Sequence, residues 1–378
     1  MHASEKPANP NSGETADSNR PDGDSAPRRV NAPGELIAAI PAMLGFLPSR
    51  SLVVTLLTPA TEHSNDPIVQ SIGPVIRFDV DAAIDEQFSP RLTATVASIS
   101  LRENAVAIMA VVIDDRPGSL DQADRVLQPL RALSARLSNA WFVKTITTYA
   151  LYRDLLGRGS HGVVEDPAAA AVAFSGAPYG DQIRCSRREL VDMLAPDSGL
   201  AADVAGVIGV AFDRYRDESA AAIRDGRLDD HRRGAAEWVL DQVAAVTPNP
   251  PMADDLATLA AVLRDWPVRA IMFALATASH RDFDSAHMLW RHLARATTGT
   301  DRAGAAVLFG HSSYHGGHTT LAGIAFGEAL RADPTHSTAQ LLKIALREGI
   351  PPHEITQLAE AGHEVARALG VDIETTTT

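Results

Sequence analysis

The chain has 378 residues, 45% of them hydrophobic and 21% charged, with a formal net charge of −13. That charge disfavours phosphate backbones and anionic membranes as generic partners, and no run of about 18 apolar residues offers a membrane span. A single cysteine, Cys185, excludes an internal disulfide and a cysteine-based zinc cluster, and it points to a reducing, cytoplasmic setting.

Residues 1–29 are rich in Pro, Ser, Asn, Asp and Gly and carry no apolar stretch of a signal peptide. They are expected to be a disordered tail, because so little apolar surface cannot offset the entropy of ordering. Folded structure is expected from Val30. Pro33-Gly34-Glu35 opens a helix whose apolar stripe is Leu36, Ile37, Ile40 and Leu44, with Pro41 expected to bend it or shorten its last turn and Gly45 ending it. Ser51–Leu57 shows no alternation and reads as a strand buried on both faces. After a polar loop to Gly73, Val75–Val80 alternates as a half-exposed strand, and Pro90–Arg102 suits a helix.

Ala105–Ile113 is a second fully apolar strand. Ser119 with Gln122 forms a capping-box pattern ahead of a helix to about Leu137, and Trp141–Tyr149 is a fourth strand. The fold class expected for residues 30–185 is α/β: a small mixed four-stranded sheet in the order 2-1-3-4 with helices on its faces, the alternating strands at the edges. The loop from Arg158 to Asp166 leaves this unit and an Ala-rich stretch follows.

Residues 186–370 read as an all-helical bundle or short solenoid of roughly eight helices, by the usual lengths of helices. Ser186 with Glu189 makes another capping-box pattern, and Leu200, Val204, Ile208, Phe212 and Tyr215 keep helical spacing. Breaks are expected at Pro248–Pro251, Trp266-Pro267, Thr297–Thr300, Asp333-Pro334 and Gly349–Pro352, and residues 371–378 form a second disordered tail.

Two stretches carry a family resemblance. They are Gly34–Val54, read GELIAAIPAMLGFLPSRSLVV, and Gly310–Pro352, with Tyr314-His-Gly-Gly317, Asp333-Pro-Thr-His336 and Gly349-Ile-Pro-Pro352. Together they resemble the actinobacterial family DUF4192, a domain of unknown function. The resemblance implies a cytoplasmic actinobacterial setting and brings no reaction, cofactor or catalytic residue. More narrowly, Gly310, Ala322, Phe326, Ala329 and Pro334 fall on tetratricopeptide offsets, whereas the preceding stretch does not, so one helical hairpin is expected and a repeat array is not.

Three constellations could carry chemistry. His311 and His315 share a helix face and could chelate a metal with His318, but Gly316-Gly317 should turn the chain between them; solvated residues at a helical turn are the plainer reading. Asp114 and Asp115 follow a central strand at its carboxyl end, where ligands gather in open α/β sheets. Asp79 and Asp81 end a neighbouring strand, which an antiparallel pairing would put at the opposite edge; turn hydrogen bonding for Asp114 and helix capping by Asp81 are the plainer readings. Ser186 and Arg187 offer a helix N-terminus with adjacent cations for an anion.

No P-loop, dinucleotide fingerprint or nucleophile elbow occurs, and no cofactor is expected. The leading expectation is a non-enzymatic binding or scaffold protein that uses its helical half to hold a protein partner. The alternative is a small-ligand sensor or hydrolase-type enzyme with a site between the two halves.

Overall fold

The computed structural model describes residues 32–59, 70–133, 136–174, 186–278 and 280–373. The expected tails, apart from residues 371–373, and Cys185 lie outside the described residues. The first helix, α1 (Pro33–Leu44), begins on a proline whose fixed φ suits a first turn. It ends at Gly45, where φ is +78° and the N–H closes on the Pro41 carbonyl at 2.9 Å. Leu36, Ile37, Ala38, Ala39 and Ile40 are all buried, so α1 is a core helix. At its start a Cβ on Gly34 would sit 2.4 Å from the Val163 carbonyl oxygen, so only glycine permits that approach.

The α/β half continues through β1 (Ser51–Pro59), β2 (Gln70–Asp79), α2 (Val80–Ile84), α3 (Ser89–Arg102), β3 (Ala107–Ile113), α4 (Ser119–Arg131), β4 (Leu137–Val143), β5 (Leu151–Asp154), β6 (His161–Val163) and α5 (Pro167–Phe174). One sheet results, in the order β2-β1-β3-β4-β5-β6. Only β3 and β4 pair in parallel, joined by α4; every other neighbour is antiparallel.

The apolar runs of β1 and β3 follow from this arrangement. Leu52, Val54, Leu56, Ile108, Ala110 and Val112 face a core shared with α2, α3 and α4. Val53, Val111 and Ile113 face α1 on the other side, in a cluster that continues into the helical half. Both faces are covered, so neither strand shows polar alternation.

The sheet has six strands where four were expected. β5 and β6 have only four and three residues, too short to show a period. β4 therefore lies inside the sheet, whereas the expectation put it at an edge. Its bounds also move, because Leu137 pairs with Ile108 as a strand residue and α4 stops at Arg131, shortly after Pro129. Ser119 does not cap α4. Gly118 occupies the cap with φ +73°, and the Ser119 hydroxyl donates to the Asp114 carbonyl at 2.9 Å.

Ten α-helices follow among the described residues, where about eight were expected. They are α6 (Arg187–Asp192), α7 (Ser198–Arg224), α8 (Leu228–Ala245), α9 (Ala253–Val262), α10 (Trp266–Ala274), α11 (His280–Ala296), α12 (Gly299–His315), α13 (Thr319–Ala332), α14 (Ser337–Arg347) and α15 (Gln357–Leu369). α12 and α13 form the expected hairpin, in which a Cβ on Gly310 would lie 2.5 Å from the Phe326 ring. The buried Arg302 of α12 pairs with Glu328 of α13 at 3.2 Å and donates to the carbonyls of Ala294 and Leu194.

α15 crosses α10 closely, since a Cβ on Gly362 would lie 2.4 Å from the Ala270 carbonyl oxygen. The two halves are also clasped. The Arg102 guanidinium on α3 donates to the carbonyls of Glu348 and Gly349, just after α14. No helix among the described residues is long and apolar enough to cross a membrane.

Candidate functional site

The first place to build from is the sheet edge at the carboxyl end of β3. β2 and β3 both run antiparallel to β1, so they are parallel to each other and their carboxyl ends share one edge. This corrects the expectation that Asp79 and Asp81 lie at the opposite edge from Asp114. Arg116 joins them: its Nε meets both Asp114 oxygens at 3.0 and 3.1 Å, Nη2 reaches Oδ2 at 2.7 Å, and Nη1 reaches Asp81 Oδ1 at 2.8 Å. Arg50 holds the other Asp81 oxygen.

Asp114 is only 3% exposed. Burial pushes its carboxyl up, but hydrogen bonds from Arg116 outweigh that and hold it below the usual carboxylate range. The guanidinium and the Arg116 backbone N–H occupy the oxygens that a cation would need. Asp115 is exposed beside this network, outside its ion pairs. Asp79, rather than Asp81, caps α2, accepting from the Asp81 N–H at 3.1 Å.

Ser186 caps α6 by accepting from the Glu189 N–H at 3.3 Å, half of the expected capping box. Arg187 is exposed on that first turn, close enough to Arg77 for the two cations to repel. Arg77 is itself engaged, donating to Ser51 Oγ at 2.8 Å and to Asp79 at 3.4 Å. α6 has only six residues, so its end carries a small dipole.

The histidines form a second cluster. His311 and His315 do share one face of α12, with ring centroids 4.5 Å apart. They are far from solvated: His311 is 1% exposed, lies edge-on to Phe273, and neither ring nitrogen has a partner among the described residues. Burial pushes both below the ordinary histidine value, and a hydrogen bond to the Ile355 backbone partly restores His315. His318 lies beyond the turn at Gly317, where its charge would act on His287, and His287 bonds Ser313 Oγ at 2.7 Å. Among the described residues no group of three or more His, Cys, Asp or Glu side chains is placed to hold a metal ion.

A third place was not anticipated from the sequence. A cavity of about 510 Å³ opens among α9, α10, α11, α12 and α14. Its ionisable lining is Arg264, Arg269, Asp301 and His336, with Ser337 and Thr338 beside them. Arg264 forks onto Asp301 at 2.8 and 2.9 Å and lies 3.4 Å over the Phe212 ring.

Arg269 differs. Its nearest acidic neighbour, Asp265, is taken by Arg232 at 2.8 and 3.1 Å and by the Tyr215 hydroxyl at 3.2 Å. The Arg269 guanidinium donates to the Leu263 carbonyl at 3.3 Å and lies 6.0 Å from the centre of the Trp266 ring, and no carboxylate is within ion-pair distance of it among the described residues. Burial holds its guanidinium below the ordinary value, with Asp265 opposing.

Two helix starts line the same space: Thr300 and Asp301 in the first turn of α12, Ser337 and Thr338 in that of α14. Helix N-termini present free N–H groups and partial positive charge. Among the described residues the cavity therefore combines two guanidinium groups and two positive helix ends with one carboxylate, which is already paired. Such a lining attracts an anion. The sequence carried a trace of this in Asp333-Pro-Thr-His336-Ser-Thr, but only as a helix break, because the walls come from five separate helices.

The geometry thus defines a mixed α/β and helical protein with a cationic cavity in its helical half. The chain belongs to the family described as domain of unknown function (DUF4192), whose sequence model matches residues 33–353. No curated protein and no solved structure matches it.

Proposed function

We propose that this protein binds a small anionic metabolite in the cavity between α10, α12 and α14, acting as a ligand sensor. The observation that carries this reading is Arg269, a partly buried guanidinium without a carboxylate partner among the described residues, facing a cavity toward which two helices start. A partly buried guanidinium that makes no ion pair among the described residues is only weakly compensated, and a bound anion would stabilise it. The sheet-edge residues support no comparable ligand, because Asp114 already satisfies itself with Arg116.

The test is thermal unfolding of the full chain with inorganic phosphate, pyrophosphate and citrate, alongside an Arg269→Gln variant. A saturating ligand at about 100 times its Kd raises stability by roughly 2.7 kcal/mol. We expect at least one of these anions to raise Tm in the native chain and to lose that effect in the variant. Equal responses in the two proteins would reject the reading.

A second reading, a docking face for a protein partner, is favoured by Leu341 and Ile344 on the outer side of α14, which are 62% and 50% exposed. Lys343 lies between them. Cross-linking in cells followed by mass spectrometry should then give Lys343 cross-links that Leu341→Glu removes; unchanged cross-links would reject a docking role for this face.

A further inference from the structure

We infer, resting on the reading that the cavity holds an anion, that the group bound is a tetrahedral dianion, a phosphate borne by a metabolite or free, and that it is taken up together with a proton that settles on His336. His336 stands at the cap of α14 and lines the cavity. Its Nδ1 accepts from the Ala339 N–H at 3.3 Å, a role open to the neutral ring with its proton on Nε2 and closed to the imidazolium.

Two charged groups act on this ring. Arg269 approaches from α10 and disfavours a second cation, while Asp333 in the preceding turn favours one. Arg264, on the far wall, is neutralised by Asp301. Burial, with Arg269 adding to it, holds His336 below its ordinary value.

An anion reverses both obstacles. A dianion offsets Arg269 and leaves charge to spare for an imidazolium. Its oxygens can also accept the N–H groups of the first turn of α14, relieving Nδ1 of its capping duty and freeing that lone pair for a proton from solvent. The donors also fit the shape. The Arg269 fork, the His336 ring and the hydroxyls of Ser337 and Thr338 outnumber the two oxygens of one carboxylate and suit the oxygens of a phosphate.

The test uses inorganic sulfate on the full chain, because sulfate stays fully ionised and cannot itself supply the titration. The His336 ring resonance is followed by NMR against pH, and sulfate affinity is measured at about pH 8 and about pH 5.5, on either side of the ordinary histidine value. We expect the His336 titration to move up by about one unit on saturation, which by linkage makes sulfate binding severalfold tighter at the lower pH, with about tenfold as the limit. His336→Asn keeps a side-chain acceptor at the cap and should bind with no such pH dependence.

Equal sulfate affinity at both pH values in the native chain, or the same pH dependence in His336→Asn, overturns the inference while leaving an anion site standing. Failure of sulfate and phosphate to bind at all, or unchanged binding in Arg269→Gln, overturns the anion reading itself. Comparing glycerol phosphate with inorganic phosphate separates the two sources: tighter binding of the ester assigns a metabolite-borne phosphate, and tighter binding of the inorganic ion assigns the free one.

Discussion

The backbone of Gly310 on α12 lies against the ring of Phe326 on α13, with no room between them for a methyl group. Both residues are buried, and the helices on either side run as one hairpin. We predict that Gly310→Ala pushes the ring aside and costs about 1–3 kcal/mol, the usual range for overpacking a core. Urea unfolding measures it. A loss below the gain in helix propensity from alanine would show that the hairpin can relax around the added methyl.

Asp114 gives a second prediction. Its carboxylate is buried and forked by Arg116, whereas Asp81, on the other arm of the same guanidinium, is 46% exposed. Asp114→Ala should destabilise the chain by about 2 kcal/mol, and Asp81→Ala by distinctly less. Equal losses would mean that the network acts through Arg50 and Asp81 instead.

The buried pair Arg302–Glu328 predicts non-additivity. Glu328→Leu alone strands a guanidinium in the core and should cost about 3–5 kcal/mol. Adding Arg302→Met should recover part of that, because two apolar side chains can replace the pair, as a double-mutant cycle would show. Simple addition of the two losses would contradict this account.

Acid should weaken the fold through its histidines. Burial depresses His287 and His311 below the ordinary value in the folded chain, so between that value and the folded ones the unfolded chain binds more protons. Stability is then full above about pH 6.5 and falls as pH drops below it. Urea midpoints at about pH 7.5 and 5.5 test the sign, and His311→Phe should flatten the slope. A midpoint that rises on acidification would refute it.

The clasp from Arg102 to the carbonyls of Glu348 and Gly349 ties residues after α14 to the α/β half. Arg102→Ala should speed amide hydrogen exchange across residues 348–355 while leaving exchange in β1 and β3 unchanged. Uniform acceleration throughout the chain would instead mark the clasp as part of global stability.

Much of this fold was legible because burial leaves a direct imprint on residue choice. The unbroken apolar runs of β1 and β3, the Pro33 start and Gly45 stop of α1, and the strand order 2-1-3-4 were all readable. β5 and β6 were not, since their pairing rests on Tyr152 packing over Gly162, a contact that local sequence does not encode. The same holds for the sites. Asp114 was found because it ends an apolar strand, but the second arm of Arg116, which reaches Asp81, depends on which edge Asp81 occupies. Arg269 gave no signal, because its isolation is a property of what Arg232 does to Asp265 in space.

The contact between Gly362 and the Ala270 carbonyl has a consequence for synthesis. α15 lies beyond residues 33–353, the stretch shared with the family, yet it covers α10 at a distance only glycine allows. Among the described helices it is the last in chain order, so it leaves the ribosome after α10 and all the others. Domains tend to fold as units while translation proceeds, and here the Ala270–Ala274 seam stands uncovered by α15 until residues 357–369 emerge. A chain that stalls or is clipped before Gln357 therefore presents that seam to its surroundings, and its fate rests with chaperones rather than with its own packing.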